Sequence, residues 1–152
     1  MLARRGNIGL ACLADVSGLN TPPSGHTFGF MLGPRINAGG RIGSSDLGVR
    51  LLSTQSGDEA LGLAAALDEL NIRRREIEQE IRAHAMDMAA EQADRPVVLV
   101  GHPDWHEGVI GIVAGRLREV LGKPACVVSL GADGAAKGSG RSIPGFRLGS
   151  AV

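Results

Sequence analysis

Between Asp58 and Arg95 the chain has no proline and only one glycine, Gly62. Few other features constrain a fold so tightly. Ser56-Gly57-Asp58-Glu59 reads as a capping box, with Ser at the N-cap and Glu three residues on. Leu63, Leu67, Leu70, Ile77, Ile81 and Met88 then recur at helical steps. Charge fills the other faces, including Arg73, Arg74, Arg75, Glu76 and Glu80. The pattern predicts one helix of about 35 residues, roughly 50 Å long. No second long helix is present to pair with it as a coiled-coil hairpin, so it is expected to connect two lobes.

The flanks differ in texture. Residues 3–17 read as a short helix with Ile8, Cys12, Leu13 and Val16 on its apolar stripe, stopped at Gly18. Residues 20–25 read as a loop. Residues 27–32 are apolar and short, stopped by Gly33-Pro34. Residues 37–43 read as a glycine-rich loop. A second short helix follows, with Ser45 as N-cap and Leu47, Leu51 and Leu52 inward.

After Pro96, Val97-Val98-Leu99-Val100 reads as a buried strand and 101–107 as a polar loop. A helix over 109–121 buries Ile112, Val113, Leu117, Val120 and Leu121 and ends at Gly122. A second strand covers 125–130, a hairpin signal lies at Gly131-Ala132-Asp133-Gly134, and a third strand covers 135–142. The order β-α-β-β implies a parallel crossover and then an antiparallel neighbour. The predicted class is α/β: a helical N-terminal segment, a long connecting helix, then a β-α-β-β mixed-sheet domain.

Length and composition exclude several alternatives. With 152 residues and 43% apolar content, the chain can bury a real core. The two cysteines, Cys12 and Cys126, make neither a disulfide framework nor a four-ligand zinc site, which favours a reduced, cytoplasmic protein. No apolar run approaches the ~18 residues of a membrane span. The start, Met1 to Arg5 and the mildly apolar stretch beyond, mimics a signal peptide only loosely, because Gly6, Asn7, Gly9 and Asp15 dilute it. Three Phe, one Trp and no Tyr argue against aromatic stacking as a main binding device. The zero net charge is unevenly spread: +3 over residues 1–50, −5 over 51–95 and +2 over 96–152.

Three segments carry chemistry. Lys137-Gly138-Ser139-Gly140-Arg141-Ser142 offers hydroxyls, charge and a backbone that an oxyanion can approach; otherwise it is a glycine-rich strand with Arg141 solvated. Gly101-His102-Pro103-Asp104-Trp105-His106-Glu107-Gly108 joins a strand end to a helix start, where anions bind. His102, His106, Asp104 and Glu107 are also metal-ligand types. The plain reading is that Asp104 caps the helix, Trp105 packs and the histidines bond locally. Gly33-Pro34-Arg35-Ile36-Asn37-Ala38-Gly39-Gly40-Arg41 presents two Arg and an Asn able to hold a phosphodiester, or else a turn with solvated arginines.

Taken with Leu67-Asp68 and Asn71-Ile72-Arg73-Arg74 on the helix, and with the run from Trp105 to Leu117, these segments resemble the RecJ-type single-stranded-DNA-specific exonucleases of the DHH phosphoesterase superfamily. The order and spacing of the set fit over nearly the whole chain. The resemblance implies a metal-bearing DHH domain, a connecting helix and a DHH-associated domain, with single-stranded DNA threaded between. It implies 5′-to-3′ hydrolysis with Mn²⁺ or Mg²⁺, work in DNA repair and recombination, and a helicase and single-strand-binding protein as partners. Residues 1–55 would be the end of the catalytic domain, 56–95 the connecting helix, and 96–152 most of the associated domain. The Asp-His-His motif is absent, as is the late Gly-Gly-His segment, and Gly39 stands where Ala is frequent. The chain is therefore expected to be an internal fragment that holds no catalytic metal and hydrolyses nothing alone.

Carried onto this sequence, Arg141, Ser139 and Ser142 with the backbone of Gly138 and Gly140 form a phosphate site, assisted by Lys137. Trp105 and His106 lie beside it, His106 as a possible accessory to catalysis. Arg35, Asn37 and Arg41 contact the strand or brace the interface between the lobes. Three other readings stay open: a related phosphodiesterase of short oligonucleotides or cyclic dinucleotides, an inert nucleic-acid-binding module of the same fold, and a zinc hydrolase built on His102 and His106.

Overall fold

The computed structural model describes residues 6–20 and 24–150. The chain divides into two compact units, Met1–Arg74 and Arg75–Val152. The division falls inside the long helix, α5 (Gly57–Ala90, 34 residues), which supplies a half to each. Its start is built as the sequence predicts, with a variation. Ser56 Oγ accepts from the Glu59 N–H at 3.3 Å. The Glu59 carboxylate does not return to Ser56; it accepts from Thr54 Oγ1, and Thr54 Oγ1 accepts the Ser56 N–H.

The buried face of α5 comprises Ala60, Leu63, Ala64, Leu67, Asn71, Arg74, Ile81, Ala85 and Ala89. Leu70, Ile77 and Met88 are only half-buried. Arg74, expected on a solvated face, lies in the buried one, where Nη2 donates to Asn71 Oδ1 at 3.1 Å. Alanine, more than leucine, marks the inward face.

Unit 1 is helical. It holds α1 (Ile8–Val16), α2 (Gly25–Thr27), a π-helical turn (Phe28–Leu32), α3 (Gly33–Ile42), α4 (Leu47–Ser53) and the first half of α5. Asn7 caps α1, and Gly18 follows it with φ 73°. The part of this predicted helix at residues 3–5, and residues 21–23 of the predicted loop, lie outside the described residues.

Four expectations fail here. Gly33-Pro34 stops nothing: helical backbone runs unbroken from 25 to 42. Proline breaks an α-helix because it lacks an N–H and crowds the carbonyl four residues back. The wider π turn just before Pro34 accommodates both effects. Nor is 37–43 a loop, since α3 continues to Ile42. Its glycine is used for packing, because a Cβ on Gly39 would stand 2.8 Å from Ser44 O and 3.3 Å from the Leu67 side chain. In α4 the N-cap is Asp46 rather than Ser45, and Leu52 is exposed. The core joins Leu13, Ala14, Leu19, Leu32, Leu51, Leu63, Ala64 and Leu67.

Unit 2 follows the predicted order. Strand β1 (Val98–His102) leads through α6 (Glu107–Leu121) to β2 (Ala125–Leu130) and β3 (Ala136–Arg141). The sheet order is β1-β2-β3, with β1 parallel and β3 antiparallel to β2. Val98, Val100, Ala125 and Val127 of the sheet are buried, as are Val109, Ile110, Val113, Ala114 and Leu117 of α6. Val120, expected inward, is exposed. Gly122 ends α6 with φ 64°, and Gly134 takes φ 81° in the hairpin. No helix among the described residues is long and apolar enough to cross a membrane.

Candidate nucleic-acid interface

Register places three polar side chains in a row. Lys137, Ser139 and Arg141 of β3 stand opposite Ser129, Val127 and Ala125 of β2, so they share the sheet face that covers α6. Glycine on the helix lets them approach. A Cβ on Gly111 would stand 3.1 Å from Ser139 Oγ and 3.2 Å from Arg141 Nη2. Arg141 Nη1 donates to Ser139 Oγ at 3.0 Å and to Gly140 O at 2.9 Å. The guanidinium is thus already oriented while remaining exposed.

At the other end of the row, Lys137 Nζ lies 2.5 Å from Glu107 Oε2 in the first turn of α6. The ammonium donates to the Glu107 carboxylate and holds its pKa below the usual carboxylate range. The N-cap of α6 is His106, not Asp104: Nδ1 accepts from the Gly108 N–H at 3.1 Å. A nitrogen that accepts carries no proton, so neutral His106 bears its N–H on Nε2, an outward donor at the positive end of a helix dipole.

The remaining predicted residues are not all drawn to this row. Gly138 and Gly140 have extended backbone, without the positive φ seen at Gly134 and Gly145. Gly140 makes room for Leu148, whose Cδ2 would lie 2.5 Å from a Cβ there. Ser142 donates its hydroxyl to Phe146 O, inside the following turn. Trp105 is 4% exposed and packs as a core side chain. Its ring meets His84 edge-on at 5.5 Å, and its carbonyl accepts from Ser129 Oγ at 2.5 Å.

Arg35 is likewise spent internally. Nε donates to Asp68 Oδ1 at 2.6 Å and Nη1 to Met31 O at 2.7 Å, with side-chain exposures of 12% and 20% for the pair. It braces α3 against α5 within unit 1. Asn37 and Arg41, by contrast, lie on the exposed side of α3.

The zinc arrangement loses its geometry. His102 and His106 both accept a backbone N–H at Nδ1. Asp104 is almost fully exposed, and Glu107 is engaged by Lys137. Among the described residues no three His, Cys, Asp or Glu side chains converge. The Mn²⁺ or Mg²⁺ implied by the resemblance therefore has no fitting donor set among them.

Sequence reasoning missed the placement of four residues. His84 packs on His102 and Trp105 from α5. Asn71 and Arg74 interrupt the buried face, and Gly111 admits β3. Only the helical step from Leu67 to Asn71 and Arg74 could have exposed the buried pair; the rest depend on register.

The chain is similar to known proteins along most of its length. Residues 94–152 match the DHHA1 domain. The chain is 39% identical over 152 residues to the single-stranded-DNA-specific exonuclease RecJ of Salmonella typhimurium, covering 95% of this chain and 26% of that one. It is 39% identical over 150 residues to the Bacillus subtilis RecJ, covering 97% and 19%. The RecJ of Thermus thermophilus, solved in complex with Mg²⁺, superposes with a TM-score of 0.85 at 31% identity, covering 99% of this chain and 23% of that one. The chain thus spans about a quarter or less of the curated relatives it matches. Motifs, fold and relatives agree along nearly its whole length that the chain is similar to one segment of the RecJ exonucleases, with a DHHA1 domain over residues 94–152.

Proposed function

We propose that this chain is the DNA-holding part of a metal-dependent, 5′-to-3′ single-stranded-DNA exonuclease of DNA repair and recombination. The row Lys137–Ser139–Arg141 beside His106 is the observation that carries the reading. The row offers a phosphate a guanidinium fork and a hydroxyl at Arg141 and Ser139, and at its Lys137 end the N-terminus of α6 capped by His106. Those groups suit a terminal phosphate, which offers more oxygens than an internal diester. Asn37 and Arg41 supply a second contact to the backbone.

In this reading residues 1–55 close the catalytic domain, 56–95 connect, and 96–152 are the DHH-associated domain. Hydrolysis then needs carboxylate-held metal ions and an activated water from residues beyond this chain. Within 1–152 the side chains bind and orient the strand; they do not cleave it. A cytoplasmic setting, with a helicase and a single-strand-binding protein supplying the strand, follows from the same reading.

The test is titration of labelled oligonucleotides with the chain and its Arg141→Ala variant. Arg141→Ala should weaken binding by about 1–3 kcal/mol, as for loss of a charge-assisted hydrogen bond. The loss should be larger with a 5′-phosphate than with a 5′-hydroxyl. Equal affinities across salt concentrations would remove the phosphate assignment. Incubation with Mn²⁺ should release no nucleotides; release that vanishes in His106→Ala would move the catalytic centre into the 101–108 segment.

A further inference from the structure

The sheet of unit 2 has two edges, and they are built differently. Its order β1-β2-β3 leaves β1 and β3 outermost. An edge strand presents a row of backbone N–H and C=O groups onto which another chain can pair, and charged side chains discourage that pairing. β3 carries two, Lys137 and Arg141. β1 reads Val98-Leu99-Val100-Gly101-His102, with no Lys, Arg, Asp, Glu or Pro. Short uncharged segments of high β-propensity are the ones that pair with copies of themselves. Leu99 is 60% exposed, so this edge is apolar as well.

One side chain closes it. The Val98 N–H turns towards β2 and donates to Pro124 O at 2.9 Å. Leu99, the next residue, turns its backbone groups to the opposite side, away from β2. There the Leu99 N–H donates to Gln92 Oε1 at 3.0 Å, and Gln92 Nε2 donates to Leu99 O at 2.8 Å. A side-chain amide offers the same C=O and N–H pair as a peptide unit. Gln92 therefore fills one rung of the ladder that a further strand would use.

The backbone around Gln92 is pinned. Gln92 sits in the turn at 91–94 that follows α5, half-buried between exposed neighbours. Its N–H donates to Ala89 O at 3.0 Å, and its carbonyl accepts the Arg95 N–H at 2.9 Å. Lys123, just before β2, donates its ammonium to Ala93 O and, at 3.1 Å, to Arg95 O.

We propose that the outer edge of β1 is a strand-pairing surface for the same edge of a second copy of this chain, and that Gln92 holds it closed. The occupant follows from the edge. A two-fold axis sets β1 antiparallel to β1, with each uncharged aliphatic edge against its own kind. A strongly acidic or basic partner would find no counter-charge on β1. The proposal does not depend on the nucleic-acid reading above.

Sedimentation velocity over a range of concentrations, together with amide exchange at Leu99, tests it. Gln92→Ala frees two backbone groups in each copy and should strengthen self-association about five- to 100-fold, as for two added hydrogen bonds. Gln92→Asn, a methylene too short to reach both groups, should behave alike and serves if Gln92→Ala does not fold. At concentrations too low for association, the Leu99 amide should exchange faster in both variants than in wild type. The Val98 amide, bonded to Pro124 O, should keep its rate. Adding Leu99→Lys to Gln92→Ala should restore the wild-type sedimentation, since charge on an edge keeps copies apart. Folded Gln92 variants that sediment like wild type at every concentration would overturn the proposal, as would a wild type that associates as strongly as they do. An unchanged Leu99 exchange rate would show that Gln92 does not close the edge, with the same consequence. Association of Gln92→Ala that survives Leu99→Lys would place the new contact elsewhere and overturn it too.

Discussion

The two units use glycine with different emphasis. In unit 1 glycine chiefly brings helices together. A Cβ on Gly9 of α1 would lie 1.8 Å from Leu51 O of α4, and one on Gly48 would lie 3.0 Å from the Ile36 side chain. In unit 2 glycine admits β3 at Gly111 and also serves conformation: Gly122 and Gly134 occupy left-handed backbone with φ 64° and 81° where a helix and a hairpin must turn. Conformational glycines follow recognisable turn and cap patterns. Packing glycines look like loop glycines until the neighbouring helix is known.

Substitution separates the two uses. Gly9→Ala drives a methyl into backbone, which neither side-chain rotation nor a small shift can relieve, so we expect a loss of about 3 kcal/mol, the upper range for overpacking. Gly122→Ala meets no atom within 4 Å and costs only the left-handed strain, roughly 1–2 kcal/mol. Thermal unfolding followed by far-UV circular dichroism and by Trp105 fluorescence measures both. Trp105 belongs to unit 2. A Trp105 transition that shifts as far as the helical signal in Gly9→Ala would mean that the units unfold as one block.

The next effect in size probes the polar brace that unit 1 adds to its close packing. Arg35 and Asp68 are mostly buried and joined by a 2.6 Å hydrogen bond. Asp68→Asn leaves the guanidinium without its counter-charge, and a loss of about 2 kcal/mol is expected for a charged hydrogen bond of this kind. The grip on Met31 O should loosen with it. In an Asp68→Asn, Phe30→Trp protein, tryptophan emission at position 30 should become more mobile in anisotropy. Unchanged stability would mean that α3 and α5 are held by apolar contacts alone.

Legibility follows the same division. In unit 2 the aliphatic strands, the parallel crossover, the hairpin and residues 137–141 of β3 could be placed from the sequence, because period and turn chemistry are local; Ser142, expected in the strand, falls just past its end. The N-cap was misassigned because an imidazole Nδ1 can accept a backbone N–H as an Asp carboxylate does. In unit 1 the long helix was legible from its uninterrupted pattern. The α3 helix was not, since its proline and three glycines argue locally against it and only packing on Leu67 and the π turn decide for it. Within the candidate site, residue types were legible and their partnerships were not. Lys137–Glu107 and Ser139–Gly111 depend on how β3 lies over α6, and no local spacing records that.

The smallest expected effect concerns that first pair. Glu107 sits at the helix end nearest the row and engages Lys137, so at neutral pH it competes with a phosphate for the ammonium. Its pKa in the folded chain is lowered by the Lys137 hydrogen bond. A depressed carboxylate pKa means that the pairing is fully present above the ordinary carboxylate value. It is lost as pH falls through the lower folded value. Glu107→Gln removes the competitor and should raise single-stranded-DNA affinity about two- to five-fold at low salt, with the gain fading as salt screens the row. Wild type should approach the variant as pH falls below the carboxylate range, whereas Glu107→Gln should show no such rise. A Lys137→Ala, Glu107→Gln protein should lose the gain. Anisotropy titrations at two salt concentrations and two pH values measure all of this. If Glu107→Gln instead binds more weakly, the carboxylate positions Lys137 for the phosphate, and the pair is part of the site rather than a brake on it.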